Sequence, residues 1–484
     1  MMILIRFTSD ITTKAKPTRR RFLRRLANNI AAALEAAGIV YTLRQEWSRF
    51  FLQSSDERVP QILQTVFGIT SLSPVQCFPL GDLTDLVRRS TKIFHEQIRD
   101  KRFAVRARRG DRTPSNFNSL DIERALGAAL LPYAERVDLS HPEVTAQVEL
   151  RDGQAYCFTD ALRGPGGLPL GTAGRAVALV SGGFDSAVAA WKLLKRGVTL
   201  DFVTCNLGGA AQRQSTLRVL KFLTERWTHG TRPRLYLLDF APVVRDLQAN
   251  CAERYWQVLL KRLMLRAAER IARERGALGI VTGEAIGQVS SQTLANLKVI
   301  SQTTNWPLLR PLLGDDKQEI MDTARRIGTY ELSAAVKEYC ALTLHHPATG
   351  AGLRAVLTEE AKLDPAALQR ALEGRQLLDL VSVDPDELAS PGLQIAEIPA
   401  GAEVIDLRDP GAFQRWHYPG ARQMDFLMAL KDISRFDRDR SYVFYCQLGL
   451  KSGQLAEELQ QAGYQAYSFK GGLRALQRYV QAQG

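Results

Sequence analysis

Two stretches of this chain carry residue types able to do covalent chemistry. The first is Ser181-Gly182-Gly183-Phe184-Asp185-Ser186, which follows the apolar run 177–180 and leads into a helical pattern over 187–195. Paired glycines let backbone fold close to an anion, serines donate hydrogen bonds, and the first amides of a following helix aim partial positive charge at a bound phosphate. The segment reads as a phosphate cradle with Ser181, Gly182, Gly183, Asp185 and Ser186 as its contacts. It is not a loop of the Gly-Lys-Ser/Thr kind, since no lysine of its own reaches a terminal phosphate. Taken alone, Asp185 also reads as a helix N-cap, whereas glycines serving only a tight turn account less well for the strand and helix around them.

The second stretch is Cys446-Gln447-Leu448-Gly449-Leu450-Lys451-Ser452, placed between the β-type run 441–445 and a helical pattern from Gly453. Amides at a helix N-terminus favour a thiolate or persulfide anion, and Lys451 adds positive potential. A lone cysteine after a strand is nevertheless more often inert core. The six cysteines (Cys77, Cys157, Cys205, Cys251, Cys340, Cys446) include no CxxC pair, and the six histidines show no metal-ligand spacing. Neither a disulfide scaffold nor a protein metal site is expected, and free thiols fit a reducing cytoplasm.

The elements that must position these loops occupy a chain of 484 residues, 45% hydrophobic, with 64 Lys plus Arg against 51 Asp plus Glu. That is longer than one ordinary domain, and the net charge of +13 favours a polyanionic partner, nucleic acid first. The apolar opening, residues 1–7, is too short for a signal-peptide core, so neither export nor membrane insertion is expected. Residues 1–50 hold ten basic and three acidic side chains, with Arg19, Arg20, Arg21, Arg24 and Arg25 clustered on a helix predicted from Pro17 to Gly38. The order there reads βαββαβ, ferredoxin-like. Six basic residues and one acid follow between 101 and 112, where strand alternation puts Arg106 and Arg108 on one face beside Arg109, a surface suited to RNA. Asp152-Gly153 signals a hairpin.

From residue 177, short apolar strands (177–180, 199–203, 234–238, 279–282) alternate with helical segments, which predicts a parallel, doubly wound α/β sheet. Residues 351–400 carry nine acids against four bases with scattered prolines, a composition expected of a connector. Strands at 402–406, 441–445 and 465–468 then predict a small second α/β domain.

SGGFDS resembles the pyrophosphate-binding PP-loop of ATP pyrophosphatases, which split ATP between its α and β phosphates. Four further segments, Asn206-Leu207-Gly208-Gly209-Ala210, Leu260-Lys261-Arg262-Leu263-Met264-Leu265-Arg266, the run from Val281-Thr282-Gly283-Glu284 to Gln292-Thr293, and Leu309-Arg310-Pro311-Leu312, resemble the tRNA 4-thiouridine synthetases. This likeness extends over essentially the whole chain. It implies an N-terminal ferredoxin-like domain (1–75), a THUMP RNA-binding domain (60–165, overlapping the first), a PP-loop adenylating domain (170–350), an acidic helical linker (351–399) and a rhodanese domain (400–484). The last is carried by Val404-Ile405-Asp406-Leu407-Arg408-Asp409-Pro410 and Trp416-His417-Tyr418-Pro419-Gly420-Ala421.

The resemblance puts ATP contacts on Leu179, Val180, Lys261, Gly283 and Gln292, an essential lysine on Lys317, and a magnesium- or pyrophosphate-orienting role on Asp185. Physically, strand-end backbone at Leu179 and Val180 suits an adenine edge, Gly283 admits a planar base, and the two lysines can neutralise charge building on phosphate oxygens. Without the resemblance both would be ordinary surface lysines.

It also implies a persulfide on Cys446 and a second redox cysteine at Cys340, the two ending as a disulfide after sulfur transfer. Gln447, Leu448 and Leu450 depart from many rhodaneses, which favours a protein-borne persulfide, and so a cysteine desulfurase partner, over thiosulfate. Other implied features are ATP with Mg2+, tRNA as substrate, sulfur supply to a thiamine sulfur-carrier protein, and a homodimer. The expected activity is thiolation of tRNA uridine-8. Rival readings are a PP-loop amide-forming ligase that activates a carboxylate, and a non-catalytic RNA-binding or sulfur-carrier protein.

Overall fold

The computed structural model describes every residue except 47–48, 111–115, 160, 208, 335, 337–345, 386–391, 448 and 484. The chain forms two compact units, Met1–Thr172 with Lys195–Gly197, and Ala173–Leu194 with Val198–Gly484.

The first unit is built on a nine-stranded sheet in the order Thr42–Gln45, Arg49–Gln53, Met2–Phe7, Ile69–Pro79, Gln154–Phe158, Val144–Arg151, Arg102–Arg109, Arg136–Val137, with Leu162–Arg163 also pairing Ile69–Pro79. Strand alternation sends Ile3, Ile5 and Phe7 to one face, where Leu23, Leu26, Ile30 and Leu34 of helix Lys16–Ala36 cover them. The ferredoxin-like order is the one expected. The eleven-residue strand Ile69–Pro79 pairs with Met2–Phe7 at its start and Gln154–Phe158 at its end, so one strand serves both N-terminal domains. Helix Ser119–Leu130 starts at a capping box in which Asn118 and Asp121 satisfy each other's backbone amides. Asp152 and Gly153, both at positive φ, turn the predicted hairpin.

In the second unit, a six-stranded sheet runs Leu308–Leu309, Ile280–Val281, Arg175–Leu179, Thr199–Asn206, Arg234–Asp239, Gln376–Asp379. Its first five strands are parallel and the sixth is antiparallel. Strand order reverses between Arg175–Leu179 and Ile280–Val281, which opens a crevice at their carboxyl ends where doubly wound sheets bind ligands.

The acidic stretch 351–399, expected as a connector, is instead built into this sheet's layers over its first thirty residues. Val356, Ala367, Ala371 and Leu372 enter the main core, and Gln376–Asp379 is the sixth strand. Glu360 is buried against Arg262 and Arg266, 2.9 Å from each, which anchors helix Leu353–Glu360 to helix Trp256–Arg275. Acidic composition misled because Asp364 and Glu373 are exposed while Glu360 is buried against two arginines and Val356, Ala367, Ala371 and Leu372 face inward.

A separate five-stranded parallel sheet closes the chain, ordered Gln394–Ile395, Gln465–Phe469, Ser441–Tyr445, Glu403–Asp406, Arg422–Gln423. Among the described residues no helix is long and apolar enough to cross a membrane.

Candidate active site

Strand Arg175–Leu179 delivers the glycine loop directly to the crevice. Val180 N–H donates to the Val203 carbonyl at 2.9 Å, and the Thr204 hydroxyl donates to the Val180 carbonyl at 3.1 Å. The loop then closes on itself: Ser186 Oγ accepts from Ser181 N–H at 3.3 Å and donates to the Gly183 carbonyl at 3.1 Å. Thr216 Oγ1 donates to the Ser181 carbonyl at 2.9 Å. Gly182 adopts φ +82°, and a Cβ there would meet Thr216 Cα at 2.9 Å, so both backbone and space demand glycine. Helix Phe184–Lys195 begins at once, its free first amides facing the loop.

A cavity of about 340 Å³ occupies the crevice. Leu179, Val180, Ser181, Gly183, Asp185 and Ser186 form one wall, and Lys261, Gly283 and Gln292 belong to the other. Nine predicted contacts, from three separate segments, thus meet at one place. Gly182 shapes the loop without lining the cavity. Gly283 has a reason other than room for a base: a Cβ there would lie 2.8 Å from the Asp185 carbonyl carbon and 2.9 Å from Ser186 N. Glycine lets the carboxyl end of strand Ile280–Val281 press against the start of the phosphate-loop helix.

Asp185 does not act as a cap. Its Oδ1 lies 3.2 Å from Lys317 Nζ and its Oδ2 accepts from Gln288 Nε2 at 3.0 Å. Lys317 opens helix Lys317–Ile327 behind a capping box of Asp316 and Glu319, which fixes where its side chain starts. Its ammonium also stands 5.7 Å from the Phe184 ring centre.

Three residues that sequence reasoning did not single out hold this site. Glu284, 4% exposed, accepts from Arg310 Nε at 2.6 Å and Thr282 Oγ1 at 3.0 Å through Oε2, while Oε1 lies 3.7 Å from Lys261 Nζ. Burial raises its pKa, but the charges of Lys261 and Arg310 and the hydrogen bonds from Arg310 and Thr282 outweigh that, so it stays below the usual carboxylate value. Gln288 supports Asp185, and its Oε1 is buried without a partner. Thr216 clamps the glycine loop. The legible signal was an acid placed directly after an apolar strand end and a glycine. These groups fit a nucleoside triphosphate: the glycine loop and Lys261 share a cavity whose wall also carries the apolar Leu179, Val180, Leu260 and Met264. Among the described residues no cluster of His, Cys, Asp or Glu could hold a metal ion by itself.

Cys446 ends strand Ser441–Tyr445, whose flanking strands Gln465–Phe469 and Glu403–Asp406 both run parallel to it. The side chain is 5% exposed with Sγ 3.6 Å from Ser452 Oγ, which in turn accepts from Ser468 Oγ at 2.8 Å. It is a free thiol. Gly449 at φ +80° caps helix Leu450–Gln461. Lys451 lies over the Phe426 ring, 5.8 Å from its centre. Cys340 falls outside the described residues, but Val336, four residues earlier, lines the cavity. Of the cysteines taken as buried apolar residues, Cys157 and Cys251 are buried, with burial pushing their pKa values up to about 12 and about 11, and that of Cys205 is raised for the same reason. Cys77 corrects that expectation. It is exposed, because strand alternation turns its neighbour Phe78 toward the core and Cys77 away from it.

Among the arginines, Arg20, Arg21 and Arg24 are exposed on helix Lys16–Ala36, whereas Arg25 Nε donates to the Leu170 carbonyl at 2.7 Å and Arg19 reaches the Thr12 carbonyl at 3.5 Å. Arg106 and Arg108 are both exposed while Phe103 and Val105, alternate to them, are buried. Arg106 donates to the Leu139 carbonyl at 2.8 Å and Arg109 to that of Phe117 at 3.2 Å.

Four family models match parts of the chain. The family model described as thiamine biosynthesis protein (ThiI) covers residues 171–364, the ThiI ferredoxin-like domain 2–73, the THUMP domain 81–160 and the rhodanese-like domain 392–479. The tRNA sulfurtransferase of Desulfurococcus amylolyticus is 38% identical over 97% of this chain and 97% of its own length. That of Marinobacter nauticus is 34% identical over 96% and 98%. A crystallised 4-thiouridine synthetase, in complex with RNA and with bound ATP, is 31% identical and superposes with a TM-score of 0.68, covering 78% of this chain and 98% of that one.

Proposed function

This chain belongs to the tRNA sulfurtransferase family, and on that footing we propose that it converts uridine-8 of tRNA to 4-thiouridine by adenylating the uracil carbonyl and displacing AMP with persulfide sulfur. The observation that carries the reading is the crevice cavity, lined by the phosphate loop with its Asp185 and by Lys261, with Lys317 paired to Asp185, at a volume typical of small-molecule sites, roughly 300–1,000 Å³. The bound ATP and RNA of the 31%-identical synthetase support it.

In the first step the uracil O4 attacks the α-phosphorus of ATP and pyrophosphate leaves. The helix amides after Gly183 hold the phosphates, and Lys261 and Lys317 neutralise the charge that grows on their oxygens. Asp185 is the carboxylate to orient Lys317 or to take a magnesium ion arriving with ATP. Leu179, Val180, Gly283 and Gln292 frame the nucleoside. A carbonyl oxygen is a poor leaving group, whereas AMP departs readily.

In the second step the outer sulfur of a Cys446 persulfide attacks C4 and AMP departs, which leaves the base joined to Cys446 through a disulfide. A Cys340 thiolate attacking Cys446 Sγ then releases 4-thiouridine and forms the Cys340–Cys446 disulfide, which a thiol reductant resets. A cysteine desulfurase supplies the persulfide. The exposed Arg20, Arg21, Arg24 and Arg108 are the phosphate contacts that fit tRNA. The family model's description supports a second role, donation of Cys446 sulfur toward the thiazole of thiamine through a sulfur-carrier protein.

The test is AMP release and 4-thiouridine formation with ATP, tRNA and a persulfide donor. Cys446→Ser should abolish thiolation while leaving tRNA affinity intact; full thiolation by that variant with a protein donor would overturn the sulfur route, and absence of tRNA-dependent AMP would overturn adenylation.

A further inference from the structure

Helix Gly209–Trp227 is enclosed on two sides. On one, Gln212 lines the nucleotide cavity and Thr216, 1% exposed, holds the glycine loop through Ser181. Successive residues of an α-helix turn by about 100°, so Gln214 and Arg218, two positions either side of Thr216, project to the far side. There Gln214, 3% exposed, accepts from Gln394 Nε2 at 3.3 Å. Arg218 Nη1 lies 3.7 Å from the point a Cβ on Gly449 would occupy. Helix Leu450–Gln461 packs along the same face.

Gly449 is the left-handed corner of the loop that leads from Cys446 into that helix, and it is buried. The glycine loop and the sulfur loop therefore grip opposite sides of one helix, at Thr216 and Arg218. An α-helix with its side chains is about 10–12 Å across. A persulfide extends a thiol by only about 2 Å. In this arrangement Cys446, buried in the core of its own sheet domain, cannot reach the cavity past the helix body.

We propose that the Gln214 and Arg218 face of helix Gly209–Trp227 is a docking surface for the Cys446 loop, which parks the sulfur carrier closed and must release it in every round of sulfur loading and delivery. Arg218 is a positioning residue, seating the loop at Gly449. The proposal gains its meaning from the reading of Cys446 as sulfur carrier, but its test needs no sulfur chemistry.

The experiment is the rate of iodoacetamide alkylation of Cys446 in the full-length protein, followed by peptide mass spectrometry. Arg218→Glu should raise the Cys446 rate about tenfold, Gln214→Ala combined with Gln394→Ala should raise it less, and Arg218→Lys should stay near the wild-type rate. Cys157 in the first unit and Cys251, buried in the unit that holds Cys446, report folding and should remain unreacted throughout. Arg218→Glu should also keep tRNA-dependent AMP formation, since it touches neither the cavity nor the loop at Ser181. Equal Cys446 rates in wild type and both seat variants, with Cys157 and Cys251 protected, overturn the proposal. Sulfur transfer that survives Cys446→Ser instead overturns the functional reading and leaves the docking measurement standing.

Discussion

Lys317 Nζ stands 3.2 Å from Asp185 Oδ1, joining the first turn of one helix to the first turn of another 132 residues away in the chain. The contact keeps a cation over the mouth of the phosphate loop. Because Lys317 is 43% exposed, the pair adds little to stability, and its value is charge placement.

Lys317→Ala is therefore expected to leave the melting temperature within a degree or two. tRNA-dependent AMP formation should fall by about 10²–10³, the loss seen when one preorganised charge-stabilising donor is removed. Equal kcat values for variant and wild type would remove Lys317 from the chemistry.

Gly283→Ala should act through geometry. Its Cβ must displace the Asp185 carbonyl, a backbone group that cannot rotate aside, so the phosphate-loop helix shifts. Overpacking of this kind costs about 1–3 kcal/mol. ATP affinity, measured by calorimetry, should drop at least tenfold while tRNA affinity stays constant. Unaltered ATP binding would show that the strand end and helix can separate freely.

Glu284→Gln keeps the shape but leaves Arg310, 13% exposed, without its buried counter-ion. Breaking a buried pair from one side costs about 3–5 kcal/mol, far more than losing the solvent-exposed Arg325–Asp322 pair. Denaturant midpoints of Glu284→Gln and Asp322→Asn should differ accordingly. Since Oε1 also steers Lys261, the ATP KM of Glu284→Gln should rise as well. A stability loss no larger than that of Asp322→Asn would refute the buried-pair account.

His229 gives a pH dependence with a definite sign. Burial lowers its pKa to about 4 from 6.5, against a hydrogen bond with the Arg226 backbone that opposes the shift. Between pH 6.5 and 4 the unfolded chain binds a proton that the folded one refuses, so stability falls as pH drops through that window, by up to about 3 kcal/mol. His229→Gln should flatten the change in urea midpoint between pH 7 and pH 4.5. An identical slope in both proteins would contradict a neutral buried imidazole.

Local chemistry was legible in the sequence because it needs contiguous residues. The strand, glycine turn and helix around Ser181 to Ser186 must be consecutive for amides to face an anion. Cys446 sits after its strand for the same reason. Acidic composition, by contrast, hid how residues 351–380 pack, since charge on an outer face says nothing of the alanines beneath it.

What the tertiary structure alone decided is which distant groups share a wall. Sheet order set Arg175–Leu179 beside Ile280–Val281, and only that pairing turns Gly283 into a contact for Asp185 and brings Glu284 under Lys261. Helix Gly209–Trp227 separates two reactive loops because residues two apart point to opposite sides of a helix. Sequence determines residue order and local hydrogen bonding; burial of faces against one another, a property of the whole packed chain, determines which of those residues meet.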